Sequence, residues 1–146
     1  MSLSIVGLAV IGSVFWVIST EAMAILYGSQ GWNPFYVGAL CALGQNIAYV
    51  GIYFGGEQLL DRWKLLAKQV RKLRDKLGDG VRRGFLITTG FSHVVGFPPA
   101  PATVALAPGF SVRPMTLFPL TFTARWVRFT VLAFAGEPLV AWWNTL

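Results

Sequence analysis

Long stretches of this chain carry almost no charge, and that restricts its fold more than any other feature. From Met1 to Tyr53 the only charged residue is Glu21. From Gly84 to Val112 there is none, with His93 taken as neutral, and from Pro114 to Leu146 there are only Arg125, Arg128 and Glu137. Each run is longer than the ~20 apolar residues a helix needs to cross a bilayer. The whole chain is 55% hydrophobic and 12% charged, with a mean hydropathy of +0.60. A soluble domain carries about 25% charged residues, so lipid is the expected solvent for most of this surface. The expectation is an all-α integral membrane protein with a single membrane domain over 1–146. It would be a small helical bundle with two broken or re-entrant segments and a basic amphipathic surface helix.

The charge that remains is concentrated. Between Glu57 and Arg83 there are nine basic and four acidic residues. Lys/Arg-rich loops beside membrane spans stay in the cytoplasm, and they attract anionic head groups. This places 57–83 on the cytoplasmic side of the membrane, with membrane lipids as partners and no nucleic acid. Cys41 is the only cysteine, so no intrachain disulfide forms. No basic residue precedes the first apolar stretch, which argues against a cleaved signal peptide.

Four apolar segments are expected, at about 5–27, 35–56, 84–110 and 115–136. The first is interrupted at Ser19-Thr20-Glu21, which is helix-start chemistry. Either the helix breaks there and Glu21 lines a cavity, or it ends there at the interface. Gly28 to Pro34 reads as a turn. The second segment has Gly44, Ala48, Gly51 and Gly55 on one face, where a second helix can come close. It also contains the polar Gln45 and Asn46. From about 57 to 77, Leu59, Trp63, Leu66, Val70, Leu73 and Leu77 form a stripe at helical spacing. A basic amphipathic helix on the membrane surface fits this stripe, and a short coiled coil is its rival. Gly78-Asp79-Gly80 ends that helix.

The third segment contains Gly96, Pro98, Pro99, Pro101, Pro108 and Gly109. Three prolines within four residues do not fit inside a regular helix. Irregular backbone at membrane depth needs protein or trapped water to satisfy it. A re-entrant hairpin is therefore expected: Phe85 to Val95, a bend at Gly96 to Pro101, and a return through Thr103 to Leu106. Two short interfacial helices are the alternative. The last span runs from Met115 to Gly136. Arg113-Pro114 starts it, Glu137-Pro138 closes it, and Trp142 and Trp143 anchor it.

Arg125 and Arg128 are the sharpest candidates for function. Three residues apart on a helix, they share a face. A charged side chain at the bilayer centre costs at least ~2.5–3.5 kcal/mol, so the two need water, a carboxylate or an anionic ligand. Their planar fork suits phosphate and carboxylate. Glu21 is a candidate partner for either arginine, or a proton carrier. His93, Gly96, Pro98, Pro99, Pro101, Gly109 and Asn46 are candidates for the hairpin or for a pathway. No Cys/His cluster suggests a metal, no P-loop is present, and no catalytic residue or cofactor is expected.

The order of these features resembles the DedA superfamily of SNARE-associated (VTT) membrane proteins, in particular its short YqaA-like branch. The resemblance covers roughly Glu21 to Trp143. Glu21 stands for the acidic residue of an early apolar segment, and Asn33-Pro34 for the turn before the next span. Gly44, Asn46, Gly51, Tyr53 and Gly55 stand for the Gly-rich span. His93-Val94-Val95-Gly96 takes the place of a Pro-x-x-Gly element, and Gly109 that of the glycine closing the hairpin. Ala124-Arg125-Trp126-Val127-Arg128-Phe129 takes the place of Gly-Lys-x-x-Arg-Tyr. The departures are His93 for proline, Ala124-Arg125 for Gly-Lys, and a hairpin tip lengthened by Pro98, Pro99 and Pro101.

The resemblance implies re-entrant segments facing one another at mid-membrane, a design typical of transporters. It also implies transbilayer movement of a phospholipid or lipid-linked phosphate, coupled to protons in one version. Only Glu21, Arg125 and Arg128 carry over as working residues. A non-transporting scaffold or accessory subunit and a small-molecule or ion exporter are the competing functions, and a homodimer fits a chain this short.

Overall fold

The computed structural model describes residues 4–7, 20–62, 64–97 and 99–145, except for the side chains at 59, 61, 66, 73, 74, 77, 79 and 143. Residues 8–19, Trp63 and Pro98 lie outside the described residues, as do the side chains of Leu59, Leu66, Leu73 and Leu77 in the expected stripe. Every regular element among the described residues is helical. Residues 4–7 are helical. The later helices are α1 (Thr20–Ser29), α2 (Pro34–Arg62), α3 (Lys64–Leu77), α4 (Asp79–Val95), α5 (Ala100–Leu106), α6 (Pro114–Phe134) and α7 (Gly136–Trp143).

α2 starts where its sequence dictates. The Asn33 side-chain oxygen accepts hydrogen bonds from the backbone N–H of Phe35 (3.0 Å) and Tyr36 (3.4 Å), and Pro34 occupies the first helical position. Both features satisfy the otherwise unpaired donors of a helix start. Residues Pro34–Gln58 form a 25-residue stretch long and apolar enough to cross a membrane, and they are the only such helix among the described residues. α2 does not end near residue 56 but continues to Arg62. The start of the expected amphipathic helix is therefore the end of α2, and the separate basic helix begins at Lys64.

The packing divides into two compact units. The first comprises Met1–Ala48 and Phe122–Leu146, and the second Tyr49–Thr121.

In the first unit Met23, Ala24, Val37, Cys41, Ala42, Phe129 and Ala133 form a buried core together with Ile5. Small residues bring the helices close. A Cβ on Gly28 would strike the backbone of Ala133, one on Gly38 would strike Thr130, and one on Gly136 would strike the carbonyl of Ile25. Glu137-Pro138 does not close the preceding span. α6 ends at Phe134, and these two residues lie in the first turn of α7, which packs on α1. Proline is tolerated there because the first-turn N–H groups need no intrahelical acceptor.

In the second unit Tyr49, Tyr53, Ala100, Val104, Ala107, Val112 and Leu117 form the core. α4 ends at Gly96, whose φ of 94° is left-handed and whose N–H donates to the Ser92 carbonyl over 2.7 Å. That geometry favours glycine. The chain turns back into α5, which packs against α4. The helix–bend–helix form is thus as expected, with one change. Pro101 lies in the first turn of α5 and Pro99 is the residue before it, so only the bend itself is irregular. α4 also begins earlier than expected, at Asp79, because the turn is confined to Gly78 with φ 59°.

Gly51 and Gly55 of α2 do not act where their spacing suggested. Cβ atoms on Gly51 and Gly55 would meet nothing within 4 Å, whereas one on Gly56 would strike the backbone of Ala105. At Gly109 a Cβ would come 2.7 Å from a Val70 methyl, so the glycine provides space. The left-handed backbone of that turn belongs to Ser111, at φ 56°.

Gly38→Ala should therefore lose about 1–3 kcal/mol of stability through overpacking. Gly51→Ala should be neutral or gain up to about 1 kcal/mol of helix propensity. Thermal unfolding of the two variants in detergent micelles measures both effects.

Candidate functional site

The first unit brings three of the candidate residues together. Glu21 lies in the first turn of α1, where a carboxylate is favoured by the helix dipole. Arg125 and Arg128 lie one turn apart on α6. Arg128 Nη2 is 3.3 Å from Glu21 Oε1, and Arg125 Nη1 is 3.8 Å from the same oxygen. Two guanidiniums thus converge on one carboxylate. The uncertainty over which arginine pairs with Glu21 resolves into both, with Arg128 the nearer.

The three side chains differ in exposure. That of Arg125 is 7% exposed, that of Arg128 21% and that of Glu21 34%. The guanidinium carbon of Arg125 also lies 5.7 Å from the centre of the Phe129 ring, a cation–π distance. Arg125 is the inner member of the trio, and Arg128 and Glu21 are the more exposed members. The helix that carries the arginines is otherwise uncharged between Pro114 and Phe134.

A polar contact that the sequence did not single out lies beside this trio in the chain. The Gln45 amide nitrogen on α2 donates to the Thr20 hydroxyl over 3.0 Å, with both residues buried. The Gln45 side-chain oxygen is buried and has no hydrogen-bond partner among the described residues. Thr20 immediately precedes Glu21, so this bond ties the start of α1 to α2. The signal available in the sequence was a glutamine in an otherwise apolar span. Asn46, the neighbouring candidate, is half-buried on α2. The edge of Trp126 fixes α6 to the start of α2, its indole N–H donating to the Phe35 carbonyl over 3.1 Å.

The hairpin candidates belong to the second unit. His93 is fully buried on α4, its Nδ1 2.8 Å from the Thr89 carbonyl and its ring edge-on to Tyr49 at 5.4 Å. Gly96 caps α4, Pro99 and Pro101 start α5, and Gly109 seats the turn against Val70. The Tyr53 hydroxyl donates to the Val112 carbonyl over 3.0 Å and fastens the end of that turn to α2. These residues shape the backbone, and Pro98 lies outside the described residues. Among the described residues no group of His, Cys, Asp or Glu side chains could hold a metal ion.

No family model, curated protein or solved structure matches the chain.

Thr20→Val should cost about 1–3 kcal/mol, because it strands the buried Gln45 amide. Adding Gln45→Leu should recover much of that loss, since both polar partners are then gone. Denaturant unfolding of the single and double variants in micelles measures this.

Proposed function

We propose that the chain is a multi-pass membrane protein that moves an anionic, phosphate-bearing lipid across the bilayer. The observation that carries this reading is the pair of arginines on one face of α6 sharing a single, partly exposed carboxylate. A lipid phosphate presents at least two free oxygens to a guanidinium fork and binds it more completely than a single carboxylate oxygen does. An incoming head group would take over Arg128 from Glu21 while Arg125 stays in place. In the same proposal Glu21 is the candidate proton carrier that couples lipid movement to protons.

The placement in lipid is supported by what α2 exposes. Only 39% of its apolar stretch is buried, whereas a core helix of a soluble protein is mostly buried. Phe35, Leu43, Ile47 and Phe54 are about half exposed. Such a face is stable in hydrocarbon and is costly in water. The basic segment 57–83 supports a cytoplasmic position for that segment, and the DedA-like motif order supports a bacterial inner membrane. The motif order that resembles the DedA superfamily leads to the same function from the sequence side. A scaffold reading is favoured by one feature, the open face of α2 at Gly51 and Gly55, where a neighbouring helix can sit.

The test is transbilayer movement of labelled phospholipid and polyprenyl phosphate in reconstituted liposomes. Arg125→Gln/Arg128→Gln should slow movement by at least about tenfold, since hydrogen bonds to charged groups contribute roughly 1.5–3 kcal/mol each. Wild-type rates in that folded variant, or no movement of either lipid by wild type, would contradict the proposal.

A further inference from the structure

Away from the arginine–carboxylate trio, the second unit carries an open groove along α3. Lys64, Lys68, Arg71 and Lys72 line it, all exposed, with Leu60 and Ala67 buried beneath them. The volume of this stretch is about 630 Å³. Lys64, Lys68 and Lys72 recur every fourth residue, and Arg71 is seven from Lys64, so all four share one side of the helix. A second stretch of about 310 Å³ adjoins it through Leu60, Ala67 and Arg71, and reaches Glu57, Val70, Pro108 and Gly109. The groove exists because α3 folds back on the turn after α5. Val70 rests on Gly109, where a Cβ would come within 2.7 Å of its methyl group.

Two properties identify the occupant. Four cations against the acids Glu57 and Asp75 favour an anion. The buried Leu60, Ala67 and Val70 alongside them favour a ligand that is apolar immediately next to its charge. We propose that this groove docks an anionic phospholipid at its head-group end, with the phosphate on Lys68 and Arg71 and the start of the acyl chains over Leu60 and Ala67. A free phosphate ion would use the cations but not the apolar floor. The site rests on the chain lying in a membrane and not on lipid transport through Arg125 and Arg128.

Lipid retention by the purified full-length chain, read by native mass spectrometry from micelles containing equal phosphatidylglycerol and phosphatidylcholine, tests the proposal. Wild type should retain phosphatidylglycerol selectively. Each basic residue near an anionic lipid is worth about 1 kcal/mol, a factor of roughly five, so Lys68→Gln/Arg71→Gln should weaken retention by about 25-fold. Arg82→Gln/Arg83→Gln removes the same charge from α4, where both residues are exposed, and should leave retention unchanged. Arg125→Gln/Arg128→Gln should also leave it unchanged, even if transport is lost, which separates the two sites. Equal retention of both lipids would overturn the groove. So would full retention by Lys68→Gln/Arg71→Gln, equal losses in the two paired variants on α3 and α4, or displacement of the lipid by millimolar inorganic phosphate.

Discussion

The first unit depends on how two positive charges are accommodated on a helix that is otherwise apolar. Arg125 is nearly buried and Arg128 is close to it, so without an anion their repulsion and desolvation would oppose packing of α6. Glu21 supplies that anion from the first turn of α1. The carboxylate therefore fixes the start of α1 against the middle of α6, and the Thr20–Gln45 bond fixes the same turn to α2. The exposure gradient across the trio follows from this arrangement and is what makes an exchange of anions at Arg128 chemically reasonable.

Close backbone approach is the second requirement. Gly28, Gly38 and Gly136 admit atoms of neighbouring helices into space that any side chain would fill. On the proposed membrane placement, where the hydrophobic effect does not drive helices together, such contacts and interhelical hydrogen bonds carry association. In the second unit Gly56 and Gly109 do the same work, and Tyr53 locks the turn at Val112. The groove along α3 follows from that packing.

Part of this was legible in the residues and part was not. The helix start at Asn33-Pro34, the stop at Gly78, the bend at Gly96 and the start at Pro114 could all be read, because local backbone chemistry decides them. The union of Glu21 with Arg125 and Arg128 was foreseeable as a need for charge compensation, although spacing could not say which arginine would pair. The glycine contacts at Gly51 and Gly55 were misassigned. Gly51 and Gly55 have the regular spacing but face open space, while tight contacts fall at Gly38 and Gly56, since tertiary placement and not period decides which face is covered. α2 ran past Gly55-Gly56 to Arg62 for a related reason: the cost of glycine in a helix is about 1 kcal/mol and is offset by the close contact with Ala105. Gln45 was visible as a polar residue in an apolar span, but its bond to Thr20 joins residues 25 positions apart and leaves no local trace.

The most direct test of the shared carboxylate is a double-mutant cycle between Glu21 and Arg128. Unfolding free energies of Glu21→Gln, Arg128→Gln and the pair, measured in micelles, isolate the interaction itself. A favourable coupling of at least about 1 kcal/mol is the expected result for a partly buried charge pair in contact. Effects that add within about 0.3–0.5 kcal/mol would mean the two residues act independently, and would remove the basis for an anion seat on α6.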